Sequence, residues 1–440
     1  MKNFIKEFCF FSLLILLITS CQQKKAVKLS DAEILHQNED QLTQIIIYDV
    51  FTPPVASRIY VYSSLASYEA IRFSKEGANS ITEKLKGFGK MPEPEKGKTY
   101  NYTLAATKAF FTVVRNVKVF SVDSLKNYEE SVYNNFKENL DDSTYERSIA
   151  FGDTIGKVIL VRAKTDGYLQ SRGKPKFLGS NDPGVWRPTP PDYLDGVEWC
   201  WNTMKPMILD SCSQFMPPRP PQFSNDTSSA FYKNVLEVYT ISKNLTEEQI
   251  KIAKYWDDNP FVIEHAGHMM FGNKKITPGG HWMGIAAIAA RQTNADPVKI
   301  AQGYAMTAIA LYDAFIACWD EKYRSKVIRP VNVINEWMDK GWSSLLQTPP
   351  FPEYTSGHSA ITASASTVLA YIYGDNFAFQ DTSDLRYIGM QRHFNSFQEA
   401  AAEVSVSRVY GGIHFPTGVQ AGATQGKKVG EFIIEKVLKK

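Results

Sequence analysis

The chain has 440 residues, 44% of them hydrophobic and 22% charged, with a formal net charge of +3. That length can bury a large core and suits two or three domains, while so balanced a charge gives no footing for nucleic-acid binding. Five cysteines in 440 residues exclude a disulfide scaffold.

Lys2 and Lys6 precede an apolar run over 8–18, shorter than the roughly 20 residues of a membrane span. The arrangement is that of a targeting segment. Ile18-Thr19-Ser20-Cys21 reads as a lipobox. Residues 1–20 are then a lipoprotein signal peptide, Cys21 carries the lipid, and 21–30 form a tether to the bacterial cell envelope. The alternative is a plain secretory signal with a chance cysteine. With Cys9 cleaved off and Cys21 acylated, Cys200, Cys212 and Cys318 remain. Export would let Cys200 pair with Cys212 and leave one free thiol.

From Asp31 onward the apolar spacing is helical. Helices are predicted over 41–50, 56–73, 102–117, 124–139 and 147–166, making an N-terminal helical bundle over 31–172. Residues 173–226 carry Pro175, Pro183, Pro188, Pro190, Pro191, Pro206, Pro217, Pro218, Pro220 and Pro221, too many for helix interiors. Trp186, Trp199 and Trp201 lie in the same stretch and argue against a solvated linker. It is expected to be an ordered connection lining the site entrance. Helices over 228–240, 247–256, 283–291, 297–319, one opened by the capping-box pattern Ser396 to Glu399, and 418–439 build a second bundle over 227–440. No stretch alternates over several strands. The expected class is all-α, with two helical bundles of similar design packed together. Leu65–Ile71 resembles Ile309–Phe315 at a constant offset of 244 residues, which fits two such bundles, although shared helical composition also produces likenesses of this kind.

Glu264-His265-Ala266-Gly267-His268 spaces two histidines to share a helix face. Zinc would want a third ligand and an open position, and no spacing offers them, so both are read as structural or rim residues. His281 is read as a helix-start residue. His36 and His393 carry no functional expectation.

The informative stretch is Phe351-Pro352-Glu353-Tyr354-Thr355-Ser356-Gly357-His358, followed by a run of small residues ending near Gly374. It places Ser356, Gly357 and His358 at a helix N-terminus, where free N–H groups cradle anions. The positive helix end also disfavours a protonated His358. Alone, this is equally a Ser-Gly turn capping a buried helix. Upstream stands Lys322 with Arg329-Pro330 seven residues on; downstream stands Ser407-Arg408 with His414 six residues after the arginine. Three cations converging on one point call for an anion to neutralise them, and arginine forks match oxyanions.

The order Lys-x6-Arg-Pro, Ser-Gly-His, Ser-Arg-x5-His resembles the three-part signature of the acid phosphatase and vanadium-dependent haloperoxidase superfamily, over residues 319–418. Trp319, three residues before Lys322, and Phe351, inside Thr348-Pro349-Pro350-Phe351-Pro352, resemble the haloperoxidase branch, and within it the bacterial iodoperoxidases. The resemblance implies one vanadate per chain. His414 would ligate vanadium, while Lys322, Arg329, Ser356, Gly357 and Arg408 hold its oxygens. His358 would be the acid–base group, Lys322 would polarise hydrogen peroxide, and Trp319 and Phe351 would shape the pocket for a halide, iodide first. Thr355 replaces a common proline and still suits a helix cap. Gly418 stands where the family often has an aspartate that holds the last histidine. This leaves the partner of His414 open, with a backbone carbonyl as the expected substitute. An acid phosphatase with His414 as nucleophile would use the same cradle. A lipid-anchored surface binding protein is the reading from another class.

Overall fold

A capped start opens most of the helices in this chain. The structure, a computed structural model, describes residues 29–439 apart from 118, 261, 267, 268 and 273. The signal segment, Cys21 and most of the tether, like His268, therefore lie outside the described residues. Among the described residues fifteen α-helices run in chain order: α1 Asp31–Tyr48, α2 Pro53–Ile71, α3 Tyr102–Asn116, α4 Val122–Lys137, α5 Asp142–Lys164, α6 Tyr168–Arg172, α7 Ala230–Lys243, α8 Glu247–Tyr255, α9 Pro278–Gln292, α10 Pro297–Ser325, α11 Pro330–Trp337, α12 Gly357–Tyr373, α13 Leu385–Ile388, α14 Phe397–Tyr410 and α15 Pro416–Ile433. Asn101, Asp141, Ser229, Thr246, Thr277, Asp296, Ser356 and Ser396 each cap a helix by accepting a backbone N–H with the side chain. Proline occupies the first turn of α2, α9, α10, α11 and α15, where its missing N–H costs nothing.

The 29-residue α10 is the axis of the packing. It is long and apolar enough to cross a membrane, but 94% of that window is buried inside the protein, so it is a core helix. It packs against α2, α9, α12 and α15, and Tyr62 meets Tyr312 with ring centroids 6.4 Å apart. Tyr312 belongs to one of the two similar segments read from the sequence and Tyr62 stands just before the other, and the similarity extends to function within the core. Glu69 on α2 accepts the N–H groups of Ile81 and Thr82 at 2.8 and 2.9 Å. Asp313 on α10, at the equivalent place, accepts those of Met207, Ile208 and Leu209 at 2.7, 2.9 and 3.1 Å. Each buried carboxylate pins a connecting segment whose backbone has no helix or sheet to satisfy it.

Residues 173–226 are irregular, as expected, with a single short 3-10 turn at Trp201–Thr203. They are firmly bonded: Trp186 N–H reaches Lys326 O at 2.7 Å, and Val197 N–H reaches Pro350 O at 3.0 Å. Among the described residues the only strands form two antiparallel hairpins, β1 Ile263–Ala266 with β2 Met269–Gly272 and β3 Phe379–Asp381 with β4 Arg392–Phe394. The helix face expected for His265 is therefore absent. His265 lies in β1 opposite Met270, because strand pairing along Ile263–Ala266 replaces the helical register. Nor do Cys200 and Cys212 pair: both, like Cys318, are free thiols, and Cys212 donates its S–H to Asp320 instead.

Candidate active site

Four segments converge beneath the end of α10. Lys322 lies in the last turn of α10, Arg329 caps α11, Ser356 caps α12, and Arg408 sits in the last turn of α14, with His414 in the turn that leads to α15. Lys322, Arg329, Ser356, Arg408 and His414 are all 2% exposed or less. His358 keeps some accessible surface, which a site that admits small molecules requires.

Buried cations normally come with buried anions; here most of their partners are carbonyls. Lys322 Nζ donates to the carbonyls of Pro352 and Glu353 at 2.8 and 3.1 Å. Arg329 Nε donates to Phe351 O at 2.8 Å and Nη1 to Ile413 O at 2.7 Å. Arg408 Nη1 donates to Trp256 O at 2.7 Å. Arg329 Nη2, Arg408 Nε and Nη2, and His358 Nε2 are buried atoms without a partner. Leaving three guanidinium donors and an imidazole nitrogen buried without partners costs far more than a typical surface defect. Burial and the neighbouring Arg329 pull the Lys322 ammonium down to about 7. Burial likewise draws Arg329 down to about 9 and lowers Arg408. Burial first, then the surrounding cations, hold His358 and His414 well below the ordinary imidazole range. An oxyanion would reverse these costs, accepting the orphaned hydrogen bonds and neutralising the charge. The Ser356 hydroxyl joins this group. Its oxygen accepts the Ser359 hydroxyl at 2.9 Å, which leaves its own hydrogen to donate. The first N–H of α12, on Gly357, has no intrahelical acceptor.

The partner of His414 is not a carbonyl. Nδ1 meets Glu353 Oε1 at 2.8 Å, and the same oxygen accepts the Phe415 N–H at 3.1 Å. Glu353 was legible as part of the approach to Ser-Gly-His but carried no expected role; its side chain reaches His414 only in the folded chain.

Trp319 and Phe351 form an aromatic wall, centroids 5.1 Å apart, and the Lys322 ammonium lies 4.9 Å from the Phe351 ring. The proline-rich connection backs this wall: Val197 O accepts both the Trp319 indole N–H at 3.1 Å and the Tyr323 hydroxyl at 2.7 Å. A second polar cluster lies behind Arg408. His281, in the first turn of α9, is buried between Asp258 at 3.2 Å and Asp381 at 3.0 Å, and stacks on Trp256. Burial opposes its protonation, but Asp258, Asp381 and Asp384 outweigh that and hold it as imidazolium. It starts a helix as expected; its ion cluster was not foreseen, since the three carboxylates come from two distant segments. The large surface groove of about 980 Å³ bounded by Ala363, Ala370, Val409 and Val419 takes in none of the cradle residues.

A family profile described as the VCPO second helical-bundle domain matches residues 302–440. The crystal structure described as that of the first bacterial vanadium-dependent iodoperoxidase superposes with a TM-score of 0.87 at 43% identity, over 92% of this chain and 96% of that one. A holo-type bacterial vanadium-dependent chloroperoxidase superposes with a TM-score of 0.70 at 20% identity, over 89% of this chain and 93% of that one. Its apo-type counterpart gives 0.69 at 20% identity, over 88% and 94%. At 20% these two speak to the fold alone. No curated protein matches the chain in sequence.

Proposed function

Because this chain belongs to the vanadium-dependent haloperoxidase family, we propose that its halide is iodide, oxidised by hydrogen peroxide to hypoiodous acid or an equivalent. The enzyme class and the vanadate cofactor follow from the family. The acid phosphatase and binding-protein readings are not favoured by these relatives. The observation that carries the site assignment is the set of unpartnered buried polar atoms on Arg329, Arg408 and His358: a vanadate-sized oxyanion fits the number and charge of the guanidinium donors and leaves His358 Nε2 free to take a proton. Lys322, Arg329, Ser356, Gly357 and Arg408 would hold its oxygens, and His414 would ligate the metal through Nε2. Bound vanadate supplies Lewis acidity and a template, with no change of oxidation state.

The chain's own groups then have distinct tasks. Nε2 of His358, kept neutral by burial and by the nearby cations, would accept a proton from hydrogen peroxide and later give it back. The Lys322 ammonium would withdraw electron density from the peroxide. Trp319 and Phe351 present an apolar, polarisable wall to the halide. Iodide, large and weakly hydrated, loses least on leaving water for such a wall, and the 43% identical neighbour is described as an iodoperoxidase. An N-terminal lipid on Cys21 would hold the enzyme at the cell envelope.

The test is peroxide-dependent oxidation of iodide, bromide and chloride by the purified protein, with and without orthovanadate, beside a phosphate-ester assay. Vanadate-dependent turnover of iodide alone, or of iodide at least tenfold faster than bromide, is the expected outcome. Equal turnover of bromide would overturn the halide assignment, and ester hydrolysis inhibited by vanadate would overturn the enzyme class.

A further inference from the structure

The ring of His414 is gripped at both nitrogens, and the grip fixes its tautomer. Arg329 Nη1 lies 3.1 Å from Nε2. A guanidinium can only donate, so Nε2 holds a lone pair there, and the neutral ring carries its proton on Nδ1. That proton is donated to Glu353 Oε1 at 2.8 Å. The other tautomer would set a proton against the guanidinium and a lone pair against a carboxylate oxygen. Glu353 therefore turns the lone pair of Nε2 toward the cradle. Because its Oε1 also accepts the Phe415 N–H, one oxygen fixes both the ring and the backbone beside it.

Glu353 can stand there only because residue 418 has no side chain. A Cβ on Gly418 would lie 2.2 Å from Oε1 and 2.8 Å from Cδ and Oε2 of Glu353. Gly418 lies in the first turn of α15 with no left-handed φ to require glycine, and glycine is a poor helix former. Its reason is space. Its carbonyl accepts the Ser356 N–H at 3.0 Å, so the same residue also ties α15 to the start of α12.

We propose that Glu353 is the positioning residue of His414, and that Glu353 and Gly418 act as one unit in which only one of the two positions can supply the carboxylate. A carboxylate at 418 would begin within reach of Nδ1, provided residue 353 is cut back. The proposal rests on the vanadate-site reading above for its binding arm but not for its spectroscopic one.

The test uses Glu353→Ala, Gly418→Asp and the double variant Glu353→Gly/Gly418→Asp, each checked for folding by thermal midpoint. Orthovanadate affinity is measured by titration calorimetry. The tautomer of His414 is read in vanadate-free protein from 15N shifts of labelled histidine, assigned by loss of the signal in His414→Gln. Glu353→Ala is expected to lose 10–100-fold in vanadate affinity, with the Nδ1-protonated signal giving way to a tautomer mixture. Gly418→Asp alone should lose at least as much, and the double variant should recover to within about tenfold of the parent with the signal restored. A Glu353→Ala protein with an unchanged histidine spectrum would overturn the proposal, whatever its affinity. A double variant no better than Gly418→Asp would overturn the shared-space claim. If the parent protein binds no vanadate, the functional reading falls, and the histidine spectra still decide the role of Glu353.

Discussion

Lys322 shows how a single buried group sets the pH response of the cradle. Its ammonium is pulled from 10.5 down to about 7, by burial first and then by Arg329. Between pH 7 and 10.5 the unfolded chain therefore binds a proton that the folded chain does not, so stability from this group rises with pH across that window. Below pH 7 the cost of the buried charge is fully present. Glu353 has the opposite slope in the adjacent window: burial pushes its carboxyl up to about 7, so its contribution falls as pH rises toward 7. The Lys322→Met protein without vanadate is expected to gain thermal stability relative to the parent below pH 7 and to lose that advantage by pH 10. A difference in midpoint that stays constant from pH 6 to 10 would show that Lys322 is not desolvated in the way described.

Among the elements, α12 and α15 matter most, because their contact holds the Ser356 turn. Gly418, Gly422, Gly426 and Gly430 recur every four residues and form one stripe on α15. Their ideal Cβ positions fall 2.6 Å from Ser356 O for Gly422, 1.8 Å from Ala360 O for Gly426 and 2.8 Å from Ser364 O for Gly430. At these three positions the nearest atom is a backbone carbonyl oxygen, which no side-chain rotation can move aside. Gly422→Ala and Gly430→Ala should each cost about 1–3 kcal/mol, measured by urea unfolding. Only Gly422→Ala, which displaces the carbonyl of a cradle residue, should also weaken orthovanadate binding, by about tenfold or more. Equal affinity in the two variants would mean that the turn is held from elsewhere. The glycine stripe was visible in the sequence, yet the surface it faces was not.

Across the whole molecule, Glu69 and Asp313 hold the connecting segments to the two paired core helices. Asp313→Ala would leave three buried N–H groups of residues 207–209 without an acceptor. A loss of about 2–4 kcal/mol is expected, with faster amide exchange at Met207, Ile208 and Leu209. Unchanged exchange there would show that the connection is held by its other bonds. The same connection carries Val197, whose carbonyl fixes Trp319 and Tyr323, so the wall of the site depends on chain that is neither helix nor strand.

Much of this was legible in one dimension. The helical class followed from apolar spacing and caps. The cradle residues stood out because their chemistry is carried by residue type in a fixed order: cations, a hydroxyl and glycine at a helix start, then histidine. These signals survive in sequence because each depends on neighbours a few residues away. What failed was pairing at long range. Glu353 and His414 are 61 residues apart, His281 and Asp381 are 100 apart, and nothing in local periodicity links such positions. The β1–β2 hairpin was missed for a different reason: its partners lie at most nine residues apart, but the His265 spacing fits a helix until strand pairing decides otherwise. Residue type and order alone single out the groups proposed to hold an oxyanion. Only the tertiary structure decided which carboxylate holds His414, because that choice turns on the 2.2 Å between a missing Cβ at Gly418 and an oxygen of Glu353, a distance that exists only once α12 and α15 have packed.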